Sequence, residues 1–160
     1  MRASVTIELL EENGKVGIYS PKFAGEADSE FIKFLKANKD KHRDDVLTIL
    51  ARIDKIKAQY LQDRFIRYEG LKRDRVAGLP APYIDKCGLR VYIICISDQI
   101  IILGGGGFKN TRTYNESPEL ADWVRKMQVL DDEIRIRQNS GAIISDGYRL
   151  SGELTFEIDI

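Results

Sequence analysis

Residues 89–114, LRVYIICISDQIIILGGGGFKNTRTY, decide the fold class. Two apolar runs, 89–96 and 100–103, are parted by Ser97-Asp98-Gln99. Their density of β-branched residues marks strands and the short polar break marks a turn, which predicts an antiparallel hairpin at the centre of a sheet. Glycines 104–107 follow at once, and after them come Lys109, Thr111, Arg112, Thr113 and Tyr114. A strand running into glycines and then into cations and hydroxyls points to a bound phosphate or a nucleic-acid strand.

The glycines do not make a nucleotide-hydrolysing loop. Such a loop needs glycine before its lysine and a hydroxyl after it, whereas Phe108 precedes Lys109, Asn110 follows it, and no helix start occurs before Ser117. Two readings are left: a bulged strand end where no side chain fits, or a place where a substrate backbone approaches closely. On a continuing strand, positions 110, 112 and 114 share one face and 109, 111 and 113 the other. Arginine can grip phosphate with two parallel hydrogen bonds, lysine supplies a point charge, and tyrosine gives and takes a proton. Arg90, at the head of an apolar strand, needs either an acidic partner or a place on the rim.

Working outward, Val5, Ile7 and Leu9 alternate, Asn13-Gly14 signals a two-residue turn, and Val16 and Ile18 begin a return strand that Pro21 ends. The apolar spacing then becomes helical, first through Ala27, Phe31, Phe34 and Leu35, and after Asn38-Lys39-Asp40 through Val46, Ile49, Leu50, Ile53, Ile56 and Tyr60. Two antiparallel amphipathic helices are expected. Gly70, Gly78, Pro80 and Pro82 break the period, with a short edge strand expected within 73–79. Ser117-Pro118-Glu119 opens a further helix: a capping serine, a proline whose missing N–H costs nothing there, and an acid against the dipole. Residues 148–160 alternate apolar and polar, so a half-buried strand is expected at that end.

The order is ββ-αα-βββ-α-β. It predicts one α+β domain over 1–160, with an N-terminal hairpin and a helical hairpin packed on a small antiparallel sheet, a C-terminal helix and a terminal strand. The core should run over about 26–137, with strand additions at 1–21 and 142–160.

Lysine plus arginine and aspartate plus glutamate both total 25, so overall charge gives no argument for nucleic acid. Its distribution is uneven: residues 52–90 hold ten cations against five acids, compatible with one basic face. No run of 18 apolar residues occurs, and the opening MRASVTIELLEENG has acids where a secretory signal has its apolar core, so a cytoplasmic protein with no membrane contact is expected. Cys87 and Cys95 are too few for a disulfide framework, and Cys95 reads as a buried thiol. His42, in the turn between the helices, reads as a solvated residue; with no second histidine, histidine-based triads and zinc sites find no support, and no metal or cofactor is expected. Asp131-Asp132-Glu133, without metal-ligand spacing, reads as a solvated or partner-facing surface.

Two helices, then Leu89-Arg90-Val91-Tyr92, then Phe108-Lys109-Asn110-Thr111-Arg112, then a helix carrying ELADWVRKM together resemble the RelE/ParE superfamily of toxins from type II toxin–antitoxin pairs, over about residues 31–134. The resemblance implies a RelE-like sheet with a helical hairpin on one face and a cognate antitoxin as partner. RelE-like members cleave mRNA on the ribosome without a metal, and ParE-like members poison DNA gyrase by contact. For the nuclease, a 2′-hydroxyl attacks the neighbouring phosphate while cations hold the developing charge. Carried onto this chain, Arg90, Lys109 and Arg112 would clamp the phosphate, Tyr114 would act as the acid, and Arg73, Arg75 and Lys86 would touch RNA. A lysine base would need cationic neighbours or desolvation to lower its pKa, and Arg90 and Arg112 could supply the former. The RNA-cleaving members are strongly basic where this chain is neutral, which weakens affinity for RNA. The alternative implied is a non-enzymatic protein of the same fold acting only through protein contacts, on gyrase or on another partner.

Overall fold

The computed structural model describes residues 2–68, 75–80, 88–109 and 117–160. Strands β1 (Arg2–Glu12) and β2 (Gly17–Phe23) form the expected first hairpin. Asn13 shapes its turn, its Oδ1 accepting from the N–H groups of Lys15 and Val16, while Gly14 takes a φ of 81° that a side chain would strain. Pro21 does not end β2, contrary to the sequence reading: the strand runs on to Phe23 with Pro21 opposite Ile7.

Helices α1 (Glu30–Asn38) and α2 (Arg43–Gln59) follow, as the change of period predicts. α2 turns Val46, Ile49, Ile53 and Ile56 inward onto Leu89, Val91 and Ile93 of the sheet. Each such fully buried aliphatic side chain contributes about 1.5–3 kcal/mol. A short 3-10 turn (Asp63–Phe65) leads to β3 (Arg67–Tyr68) and β4 (Val76–Leu79), and then come β5 (Gly88–Cys95) and β6 (Ile100–Lys109). The strand expected within 73–79 is β4, but β3 lies outside it at the sheet's margin. Helix α3 (Pro118–Ser140) starts as read: Ser117 Oγ accepts from the Leu120 N–H, and Pro118 sits in the first turn. After Gly141 closes it come β7 (Ile143–Asp146), β8 (Arg149–Gly152) and β9 (Thr155–Asp159).

Among the described residues, seven strands form one sheet in the order β3-β4-β5-β6-β2-β1-β9, and β7 pairs with β8 apart from it. The fold is α+β, yet the sheet is larger than expected and mixed: β2 lies parallel to β6, with Gly17, Ile18 and Tyr19 beside Ile100, Ile101 and Ile102. The first hairpin thus stands in mid-sheet. The expected terminal strand is two: Gly152, at φ 102°, turns the chain where a Cβ would strike the Ala142 carbonyl, so β8 goes to β7 and β9 to β1.

Helices α1 and α2 cover one face of the sheet and α3 the other, each over its own apolar layer. The glycines let α3 lie close. Val91 pairs with Gly106 and Ile93 with Leu103, so Gly104 and Gly105 together face the single Tyr92 in a β-bulge. A Cβ on Gly104 would meet Met127, one on Gly105 the Trp123 ring at 2.5 Å, one on Gly107 the Glu119 carboxylate, and one on Gly106 the Arg90 carbonyl.

Candidate functional site

Arg90 on β5 and Lys109 at the end of β6 come together. Arg90 pairs with Gly107 and Gly88 with Lys109, which places the two cations diagonally on adjacent strands, on the α3 face, about 7–8 Å apart at the backbone. Both are closed off from solvent, at 4% and 5% exposure, and an Arg90 guanidinium nitrogen donates to the Leu89 carbonyl at 3.2 Å. Asp45, in the first turn of α2, accepts from the Leu89 N–H at 3.3 Å and ties the helical hairpin to this end of the sheet. Arg112 and Tyr114, the other two catalytic expectations, and Arg73 and Lys86, expected to touch RNA, lie outside the described residues.

Arg75 is turned inward. Its Nε donates to Asp131 Oδ1 at 2.7 Å, its backbone N–H to Oδ2 at 3.3 Å, and a terminal nitrogen to Gln138 at 3.0 Å. Arg135 approaches the other oxygen at 3.1 Å. Asp131 is 1% exposed, which corrects its reading as a solvated acid. The reason is its position on α3: it falls on the stripe of Leu120, Val124, Met127, Leu130 and Ile134, so it enters the interior and must be neutralised there. Nearby Cys95 is buried as expected, and burial, helped by Asp131 and Asp63 and opposed by Arg75, pushes its thiol up to about 12. It stays protonated and unreactive at neutral pH.

A second constellation lies on the other side of β6. The parallel pairing of β2 with β6 stops after Tyr19 and Ile102. At the next residue Ser20 Oγ donates to the Leu103 carbonyl at 2.7 Å and accepts from the Phe31 N–H at 3.1 Å, joining β2, β6 and α1 at one point. Pro21 has no N–H with which to continue the ladder, and the strands part. A cleft of about 540 Å³ opens there along Gly105–Gly106–Gly107–Phe108, between α1 and α3.

Each wall of this cleft carries charges of both signs, paired along the wall itself. Lys33 lies 3.3 Å from both Glu26 and Glu30; burial pulls its pKa down, but the two glutamates outweigh this and raise it. Lys126 pairs with Asp122 at 3.1 Å and stands over the Trp123 ring. Hydrogen bonds from Arg125 and Lys126 hold the Asp122 carboxyl below its usual range. His42 stacks on Phe108, centroids 4.6 Å apart and planes 19° from parallel, so it is a wall of the cleft and not a solvated turn residue. Sequence reasoning missed His42, Phe108, Glu119, Trp123 and Lys126 as one group, because they come from three separate segments that meet only where His42 stacks on Phe108 and α3 packs on β6. Pro21 was the one local signal, and it marks the end of a ladder and not of a strand. Among the described residues no cluster of histidine, cysteine, aspartate and glutamate has the arrangement of a metal site. Compared with protein-family models, with curated proteins and with solved structures, the chain matches none.

Proposed function

We propose that this chain is a RelE/ParE-like protein that acts by contact with a partner protein and not as a nuclease. The observation that carries this is the placement of the cations assigned to RNA. Arg90 and Lys109 are interior, and Arg75 neutralises Asp131. A phosphate reaching any of the three would displace packed or ion-paired groups, with a desolvation penalty of several kcal/mol for each charge left behind. Apolar surface is available for a partner: Ile136 on α3 and Ile144 on the adjoining β7 are 60% and 55% exposed.

A second reading, the metal-independent, ribosome-dependent mRNA endonuclease, draws support from the register that brings Arg90 and Lys109 to one face, with Arg112 and Tyr114 within five residues of Lys109. One experiment separates the two. The wild type, Arg90→Ala/Arg112→Ala and Ile136→Asp/Ile144→Asp are expressed in a bacterial host, and each purified protein is incubated with ribosomes and mRNA. Contact action predicts growth arrest by the first two and not by the third, with mRNA intact throughout. Cleavage by the wild type that Arg90→Ala/Arg112→Ala abolishes would replace this reading with the nuclease, and growth unaffected by all three would remove toxicity altogether.

A further inference from the structure

The cleft between β2 and β6 stands where open sheets take their ligands. It lies beyond the carboxyl ends of two parallel strands whose following helices, α1 and α3, go to opposite faces. Its size, about 540 Å³, suits one small organic molecule. Along its floor the β2–β6 ladder has ended, and Gly105, Gly106 and Gly107 of β6 line the cleft without side chains of their own.

The chemistry changes along that floor in an ordered way. At one end Phe108, 42% exposed, is stacked on His42 and offers a flat apolar face. Next, the Glu119 carboxylate lies against Gly107 and can accept from hydroxyl groups. At the far end Lys126 stands above Trp123, itself against Gly105, with Lys33 lining the same space from α1. From residue 108 back to 105 a strand covers about 10 Å. An aromatic platform, a hydroxyl acceptor and an ammonium group spaced over that length match the base, the ribose and the phosphate of one nucleotide. A bare anion would leave the platform and the carboxylate unused, and an apolar ligand would leave the lysines unused.

We propose that this cleft binds a nucleoside 5′-monophosphate, with the base on Phe108, the ribose at Glu119 and the phosphate at Lys126. Lys126 exchanges Asp122 for the phosphate when the ligand enters. The same moiety occurs free and as the first residue of a 5′-phosphorylated RNA, and both would present it identically. The site is on the opposite edge of β6 from β5 and does not depend on how the protein acts on a partner.

The test is titration calorimetry on the full chain with AMP, GMP, CMP and UMP, with adenosine, with inorganic phosphate and with a 5′-phosphorylated RNA dinucleotide. Trp123, the single tryptophan, gives a second readout through its emission. Expected is binding of at least one monophosphate, about tenfold or more tighter than adenosine or phosphate alone, and weakened about tenfold or more by Phe108→Leu and by Lys126→Gln. Both variants change exposed or half-exposed side chains, and circular dichroism confirms that they fold. Dinucleotide binding as tight as that of the free nucleotide assigns the moiety to an RNA end, and much weaker binding assigns it to the free metabolite; either supports the site. No binding at millimolar nucleotide, equal binding of inorganic phosphate, or affinity unchanged in both folded variants would overturn it.

Discussion

At the scale of single residues, Asp131 shows how one carboxylate can redirect the reading of a surface. Its charge is interior and is answered by Arg75 from the entry to β4 and by Arg135 one turn along α3. Removing it strands two guanidinium groups. Asp131→Ala should therefore lower stability by about 3–5 kcal/mol, far beyond the effect of a solvated acid, as measured by urea denaturation. Asp132→Ala, one position along and exposed, should stay within about 0.5 kcal/mol and serves as the control. Neither role could be read from Asp131-Asp132-Glu133 taken alone. A triple acid on a helix has the same composition whichever member points inward; the stripe from Leu120 to Ile134, itself present in the sequence, is what singles out Asp131. Arg75 was legible as a cation and not as a partner, because its acid is 56 positions away.

At the scale of elements, local signals carried far. The turn at Asn13-Gly14, the cap at Ser117-Pro118 and the change from a period of two to a helical period are all chemistry within a few residues, and each element is present, though α1 starts at Glu30 and leaves Ala27 outside it. The glycines were legible as a choice between a bulge and a ligand approach, and the bulge is present with α3 laid upon it. Gly105→Ala should test that packing directly. The new methyl group meets the Trp123 ring and must displace it, so a loss of about 1–3 kcal/mol is expected, together with a shift in tryptophan emission. What no local signal held was the neighbour of β2. Pairing with β6 reaches across the helices and three further strands, and depends on which apolar faces remain uncovered after the hairpins have formed.

At the scale of the whole molecule, a mixed sheet with helices on both faces divides the core into two apolar layers that share only the strands between them. β9 completes the sheet by covering β1, with Ile158 and Phe156 buried and Arg2 bridging to Glu157 and Asp159. Ile158→Ala should cost about 2–5 kcal/mol. Hydrogen exchange should then quicken first in β9 and along its partner β1 while β5, held between β4 and β6, stays protected. With lysine plus arginine equal to aspartate plus glutamate, the molecule has no net charge to draw in a polyanion.

The pairing of β1 with β9 also sets an order in time. During synthesis β9 emerges long after β1, so one side of the first hairpin stays unpaired until that later strand has been made. Its other side waits for β6, which follows both α1 and α2. The hairpin that ends in mid-sheet thus waits with two open edges, and Glu8, Glu11 and Glu12 on β1 with Pro21 and Lys22 on β2 are residues of the kind that disfavour pairing with another chain.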